Sequence, residues 1–281
     1  MQNTIGIDFD ADRLVSRFPN PSMTNAESCL WKYFSETLGW KSSLGSRVAF
    51  DHLMDARAFS MGKTVLDAGA GHQRYLPFFK DSIYLTQEHP SGIAFKNMGQ
   101  IKYDLISPID ERIPLKENCL SCIINTSVLE HVRHPESFLK EAFRVLQPGG
   151  RIYLSVPFSY NQHEKPFDFQ RPTRFGLDAW LGSAGFARRV ILPGSNSIYG
   201  SSWYLTFCLA QELAAHNAQH LSTTLGPIVK FCIDAFNNAT DDFVDVNNDM
   251  PVGWMVIAEK AGVQENLVIE DREDWLRTNR L

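Results

Sequence analysis

The stretch Lys63-Thr-Val-Leu-Asp-Ala-Gly-Ala-Gly-His-Gln-Arg74 constrains the fold of this chain more than any other. Thr64-Val65-Leu66 is a short apolar run ending in an acid, Asp67, and an unbroken apolar run reads as a strand buried on both faces of a parallel sheet. Gly69 and Gly71 follow at alternate positions. They let the main chain turn tightly and leave no side chain between it and a ligand. A helix is predicted from about Tyr75, and the amides of its first turn would point into the same crevice. The dinucleotide fingerprint G-x-G-x-x-G is not met, because Gln73 and Arg74 stand where a third glycine belongs. A nicotinamide-binding oxidoreductase is disfavoured on that ground.

With 281 residues the chain is long enough for one enlarged domain or a domain with an insertion. A net charge of -5 argues against a protein held on nucleic acid by phosphate contacts. The segment Met1–Asp8 has neither a basic nor an apolar region of the signal-peptide kind, and no apolar run approaches bilayer length. Five cysteines fit reduced thiols better than a disulfide framework, so a cytoplasmic protein without stable membrane insertion is expected. Cys119 and Cys122 read as small core residues.

Thr24-Asn-Ala-Glu27 has the spacing of a capping box and predicts a helix with Leu30, Trp31, Phe34 and Leu38 on one face. A second helix is predicted over residues 47–59, and together the two would make residues 1–62 a helical lid over the crevice. Residues 82–88 read as the second strand, ending at Glu88, and residues 101–104 as a short third. Leu120–Thr126 is the fourth strand. A helix then opens at Pro135, a favoured first-turn position, and ends before Gln147-Pro-Gly-Gly150. Residues 151–156, 188–192 and 253–259 supply strands five to seven. Alternating strands and helices predict a parallel sheet with right-handed crossovers. Two helices within residues 199–240 read as a cap inserted between strands six and seven, and residues 263–281 as a charged, solvated tail.

Asp67-x-Gly69-x-Gly71 resembles motif I of the class I S-adenosylmethionine-dependent methyltransferases. Ile113-Pro-Leu-Lys-Glu-Asn, Val128-Leu-Glu-His-Val and Arg144-Val-Leu-Gln-Pro-Gly-Gly follow in the order and spacing of the type 11 branch. Ser121 stands where that branch usually has an acid. The resemblance implies a Rossmann-like α/β fold: a seven-stranded, mostly parallel sheet with helices on both faces and a helical cap insertion. It implies a methyltransferase core over residues 63–198 and 250–262, with the cap at 199–249. It also implies S-adenosylmethionine as cofactor, bound by Asp67, Ala68, Gly69, Gly71, Gln87, Glu88, Asp104, Leu105 and Asn125. Glu88 would accept from both ribose hydroxyls, and Asp104 from the adenine amino group.

After the fifth strand, Pro157–Thr173 gathers His163, Asp168, Arg171 and four aromatic residues where substrates bind in such sheets. The expected reaction is methyl transfer to an oxygen or nitrogen of a small molecule, such as a sugar or other biosynthetic intermediate bearing an anionic group. A histidine is the natural base at neutral pH, and His163 and His131 are the candidates. Tyr160, Asp168 and Arg171 are the candidate substrate contacts, with Arg171 as a fork for an anion. The rival view of the loop is an Asp168–Arg171 pair that only holds it in shape. Some related O-methyltransferases hold a divalent metal with Glu-x-x-Glu-His. Here Ser127 replaces the first acid, and no metal is expected. The remaining expectations are no nucleic-acid partner and a homodimer through the helical insertion. A cofactor-binding protein without turnover, acting as a partner or regulator, is the second functional reading.

Overall fold

The computed structural model describes residues 24–37, 44–195, 249–262 and 272–281, with isolated positions between 197 and 231. The expected insertion helices and the dimer contact assigned to them lie outside the described residues, apart from those isolated positions. Seven strands form one sheet: β1 (Thr64–Ala68), β2 (Ile83–Glu88), β3 (Leu105–Ile106), β4 (Leu120–Thr126), β5 (Leu146–Pro157), β6 (Arg188–Pro193) and β7 (Gly253–Glu259). Their order is β3-β2-β1-β4-β5-β7-β6. Only β7 runs against its neighbours, pairing antiparallel with both β5 and β6. The chain leaves β1 toward β2 on one side and returns as β4 on the other, so a crevice opens at the carboxyl ends of β1 and β4. That is where ligands bind in open α/β sheets.

Both sheet faces are covered, which explains the unbroken apolar strands. The described helices are α1 (Asn25–Lys32), α2 (Leu44–Ser60), α3 (Pro90–Phe95), α4 (Pro135–Val145), α5 (Arg174–Ala184) and α6 (Arg272–Asn279). On one face Leu66, Leu85, Ile123 and Leu154 pack with Phe138, Leu139 and Leu177 of α4 and α5. On the other, Val65, Tyr84, Cys122, Ile124 and Tyr153 pack with Phe50, Leu53 and Ala56 of α2. Helix α2 is therefore a layer of the sheet rather than a lid. The capping box forms as predicted: Glu27 N donates to Thr24 Oγ1 at 3.3 Å and Thr24 N to Glu27 Oε2 at 2.7 Å. Tyr33, just beyond α1, donates its hydroxyl to Arg74 O at 2.9 Å, so this N-terminal part does reach the motif I loop.

Three elements differ from the sequence reading. The predicted helix after motif I is a single 3-10 turn, Leu76–Phe79. The third strand lies after Asp104, not before it. Residues 272–281 of the expected solvated tail instead dock on the sheet: Trp275 is buried in the core, and Arg280 bridges to Leu115.

Candidate functional site

Motif I leaves β1 with Gly69 at φ 84° and Gly71 at φ 51°, a backbone region that favours glycine. A Cβ on Gly69 would lie 2.6 Å from Val128, so the loop after β4 packs directly on this turn. A Cβ on Gly71 would meet nothing, so that side of the turn is open. Glu88, almost wholly buried at the end of β2, accepts from Gly71 N at 2.7 Å through Oε2 and from His89 N at 2.8 Å through Oε1. Each oxygen has two lone pairs and spends one, leaving one on each for a diol.

Asp67 and Ala68 lie beneath the loop. Tyr84 donates its hydroxyl to Asp67, and burial pushes the Asp67 carboxyl up to about 7 against that hydrogen bond. Gln87 is a brace: its Oε1 accepts from Gly69 N at 3.1 Å, and its Nε2 donates to Ser107 O. Asn125, at the end of β4, donates to Ala68 O at 2.8 Å, while its buried Oδ1 has no partner among the described residues. Leu105 is wholly buried in the core.

Asp104 departs from its expected role. The late start of β3 sets it level with Thr86, whose N–H and hydroxyl donate to its Oδ2 at 2.8 and 2.9 Å. Arg272 Nη2 of α6 donates to Oδ1 at 2.6 Å. The carboxylate thus clamps the C-terminal helix to β2 instead of facing an adenine ring. Ser121, in place of the usual acid, sits among Thr64, whose Oγ1 accepts from its N–H at 3.0 Å, and Gln147, which donates to its hydroxyl at 3.1 Å.

The loop after β5 folds back on the turn Leu129–His131 that follows β4. The backbone N–H groups of Phe169 and Gln170 both donate to Glu130 O, at 2.7 and 3.2 Å. This staple brings His163 beside His131, with ring centroids 4.8 Å apart, and Tyr160 edge-on to His163 at 5.3 Å. Between the two histidines lies the Glu130 carboxylate, fully buried, with neither oxygen hydrogen-bonded to a described residue. In the sequence Glu130 is the second acid of the Glu-x-x-Glu-His pattern that Ser127 interrupts, a ligand beside His131 only if a metal is held there, and none is expected. Its signal was an acid inside an apolar turn, Val128-Leu-Glu-His-Val. Glu130, 3.6 Å away, together with Asn161 O and Asp168, holds the His163 pKa above its usual value against partial burial.

Arg171 also departs from expectation. Its Nε donates to Tyr160 O, Nη1 to Asp168 Oδ1 and Gln170 O, and Nη2 to Asn161 O and Asp168 Oδ2. All five N–H groups of the guanidinium are thereby spent, and none is left for an anion. Asp168 also accepts from His163 N at 2.9 Å. Burial would raise the Asp168 carboxyl, but Arg171 and the His163 N–H hold it below the usual range. The pair shapes the loop.

Residues 66–154 match the family described as "Methyltransferase domain". An uncharacterised methyltransferase of Mycobacterium bovis is 29% identical over 156 residues, covering 51% of this chain and 57% of that protein. The mitochondrial ubiquinone biosynthesis O-methyltransferase of Mus musculus is 28% identical over 76 residues, covering 27% of this chain and 20% of that one. The match thus spans little more than half the length of the mycobacterial relative. Among solved structures, a SAM-dependent methyltransferase from Thermotoga maritima covers 84% of this chain and 99% of its own, with 13% identity and a TM-score of 0.46. Residues 66–154, about a third of the chain, are thus similar to the type 11 methyltransferase domain, and the seven-stranded sheet is that of a class I methyltransferase fold.

Proposed function

We propose that this protein is an enzyme that transfers the methyl group of S-adenosylmethionine to an oxygen or nitrogen of a small molecule. The observation behind this reading is the state of Glu88. Its carboxylate is fixed by two backbone N–H groups and keeps one lone pair free on each oxygen, beside a turn where a Cβ on Gly71 would meet nothing. That pair of acceptors suits the two donating hydroxyls of a ribose diol. The orphaned Oδ1 of Asn125 adds an acceptor on the β1–β4 side, which fits a cofactor that carries an ammonium group.

When bound, S-adenosylmethionine supplies an electrophilic methyl group that leaves the sulfur by in-line displacement. What remains for this chain is to seat the acceptor within attack range, exclude water and take up a proton. Motif I and Glu88 hold the cofactor side. The Glu130, His131 and His163 cluster, across the crevice from motif I, is the group available to the acceptor's proton. The filled valences of Arg171 remove it as a fork for an anionic acceptor.

Calorimetry with S-adenosylhomocysteine tests the reading. Hydrogen bonds to a charged group contribute about 1.5–3 kcal/mol each, so losing two in Glu88→Ala is expected to weaken binding by about a hundredfold or more in a chain that still melts cooperatively. Wild-type affinity in that variant would remove Glu88 from the site.

A further inference from the structure

We propose that Glu130, His131 and His163 form a binding site for a divalent transition-metal ion of the zinc class. One ligand atom from each lies within 4.8 Å of the others. His163 Nε2 is 3.6 Å and His131 Nε2 3.8 Å from Glu130 Oε1. These spacings are longer than hydrogen bonds. They approach those of atoms sharing one tetrahedral ion, where bonds of about 2.0–2.2 Å set the ligands roughly 3.3–3.6 Å apart.

The outer nitrogens fix which lone pairs face inward. His131 Nδ1 lies 2.8 Å from Phe167 O, and a carbonyl can only accept, so Nδ1 carries the proton. His163 Nδ1 lies 3.3 Å from both Asn161 O and Asp168 Oδ2, which can likewise only accept. Arg171 Nη2 is 3.4 Å from the same nitrogen, but its two protons go to Asn161 O and Asp168 Oδ2 at 2.9 and 2.7 Å. Both neutral rings therefore turn an Nε2 lone pair toward a buried, unpartnered carboxylate. Three such acceptors facing one another call for a positive charge between them, a proton on His163 Nε2 or a shared ion, and Nε2 distances of 3.6 and 3.8 Å from Glu130 Oε1, longer than hydrogen bonds, favour the ion. Metal-bound histidines characteristically anchor their other nitrogen on a carbonyl or carboxylate, as both do here.

Two nitrogens and one carboxylate oxygen suit zinc, or divalent iron, better than magnesium or calcium. On the open side lies Glu164, with Oε2 3.7 Å from His131 Nε2 and 2.8 Å from Lys96 Nζ. A fourth position there is left for solvent or acceptor. The expectation of no metal rested on Ser127 replacing the first acid of Glu-x-x-Glu-His. The fold supplies a different third ligand, His163, from the loop after β5. Only the consequence for catalysis depends on the proposed methyl transfer: an ion at this point would polarise an acceptor hydroxyl and ease loss of its proton.

The test uses the full chain after chelator treatment and dialysis, titrated with zinc by calorimetry and with cobalt(II) by visible absorbance. The expected result is a single zinc equivalent bound at micromolar or tighter affinity, and cobalt bands of a tetrahedral site. Glu130→Gln and His163→Ala are expected to weaken zinc by about 100-fold or more, whereas the exposed His134→Ala leaves it unchanged. Zinc binding as tight in His163→Ala as in the wild type, or a wild-type chain that gives no tetrahedral cobalt spectrum, would overturn the site. Should Glu130→Gln fail to fold, His163→Ala and the wild-type cobalt spectrum still decide. S-adenosylhomocysteine affinity, measured on the same samples, separates failure of the metal site from failure of the methyltransferase reading.

Discussion

Replacing His52 with leucine is expected to remove an acid-sensitive weak point from the core. His52 lies on α2 with 4% of its surface exposed, edge-on to the Tyr153 ring at 5.4 Å, and neither ring nitrogen has a hydrogen-bond partner among the described residues. Burial lowers its pKa from 6.5 to about 4, only partly offset by the Leu154 backbone. Between those values the unfolded chain binds more protons than the folded one, so stability is complete above about pH 6.5 and is lost as pH falls toward 4. The difference of about 2.5 pH units, at about 1.4 kcal/mol each, comes to roughly 3 kcal/mol in all, of which about 2.5 kcal/mol is lost by pH 4.5.

Asp67 titrates in the opposite sense. Its folded pKa is raised from 3.8 to about 7, so its contribution is present at low pH and is lost as pH rises through about 7. The wild-type profile sums both groups. The difference between wild type and His52→Leu isolates the histidine. Urea melts at pH 8, 6 and 4.5 supply that difference. At pH 8 the variant should be at least as stable as the wild type, since two unpartnered buried nitrogens are gone. By pH 4.5 its advantage should have grown by about 2.5 kcal/mol. A difference constant to within about 0.5 kcal/mol over this range would mean that His52 is solvated or partnered in solution, and that the burial argument is wrong.

Asp104→Asn should lower the melting temperature while leaving S-adenosylhomocysteine affinity within about twofold of wild type, because its carboxylate holds Thr86 and Arg272; a large loss of affinity would restore the adenine role. Arg171→Ala strands a buried carboxylate and, with Arg171 itself partly exposed, should cost about 2–3 kcal/mol, read as a melting temperature lower by several degrees with S-adenosylhomocysteine binding intact. An unchanged melting temperature together with lost turnover on an anionic acceptor would identify Arg171 as a substrate fork after all.

The sheet was legible in the sequence because burial on both faces demands unbroken apolar runs, and β4 and β7 fall on the predicted residues. The third strand was misplaced for a physical reason. At two residues on the sheet edge, β3 is defined by backbone pairing with Gln87 and Glu88, which leaves no side-chain period to read. The docked end of the chain was hidden in the same way. Its charges look solvated, and only Trp275, an aromatic among acids and arginines, hinted that one side of that helix is buried.

The loop after β5 marks where sequence reading stops. His163, Asp168 and Arg171 have the same composition and spacing whether Arg171 reaches for a substrate or for its own loop. The outcome turns on where five N–H groups find acceptors, and three of those acceptors are main-chain carbonyls, which every residue carries and no motif records. Glu130 and His163 pose the same problem from the other side. Each is unremarkable alone, and neither neighbours the other in the chain. They meet because the Phe169 and Gln170 amides close on the Glu130 carbonyl, a contact that is again purely main-chain. Chemistry in this loop was therefore legible as a list of functional groups, while the partners that decide their roles are fixed only by the fold.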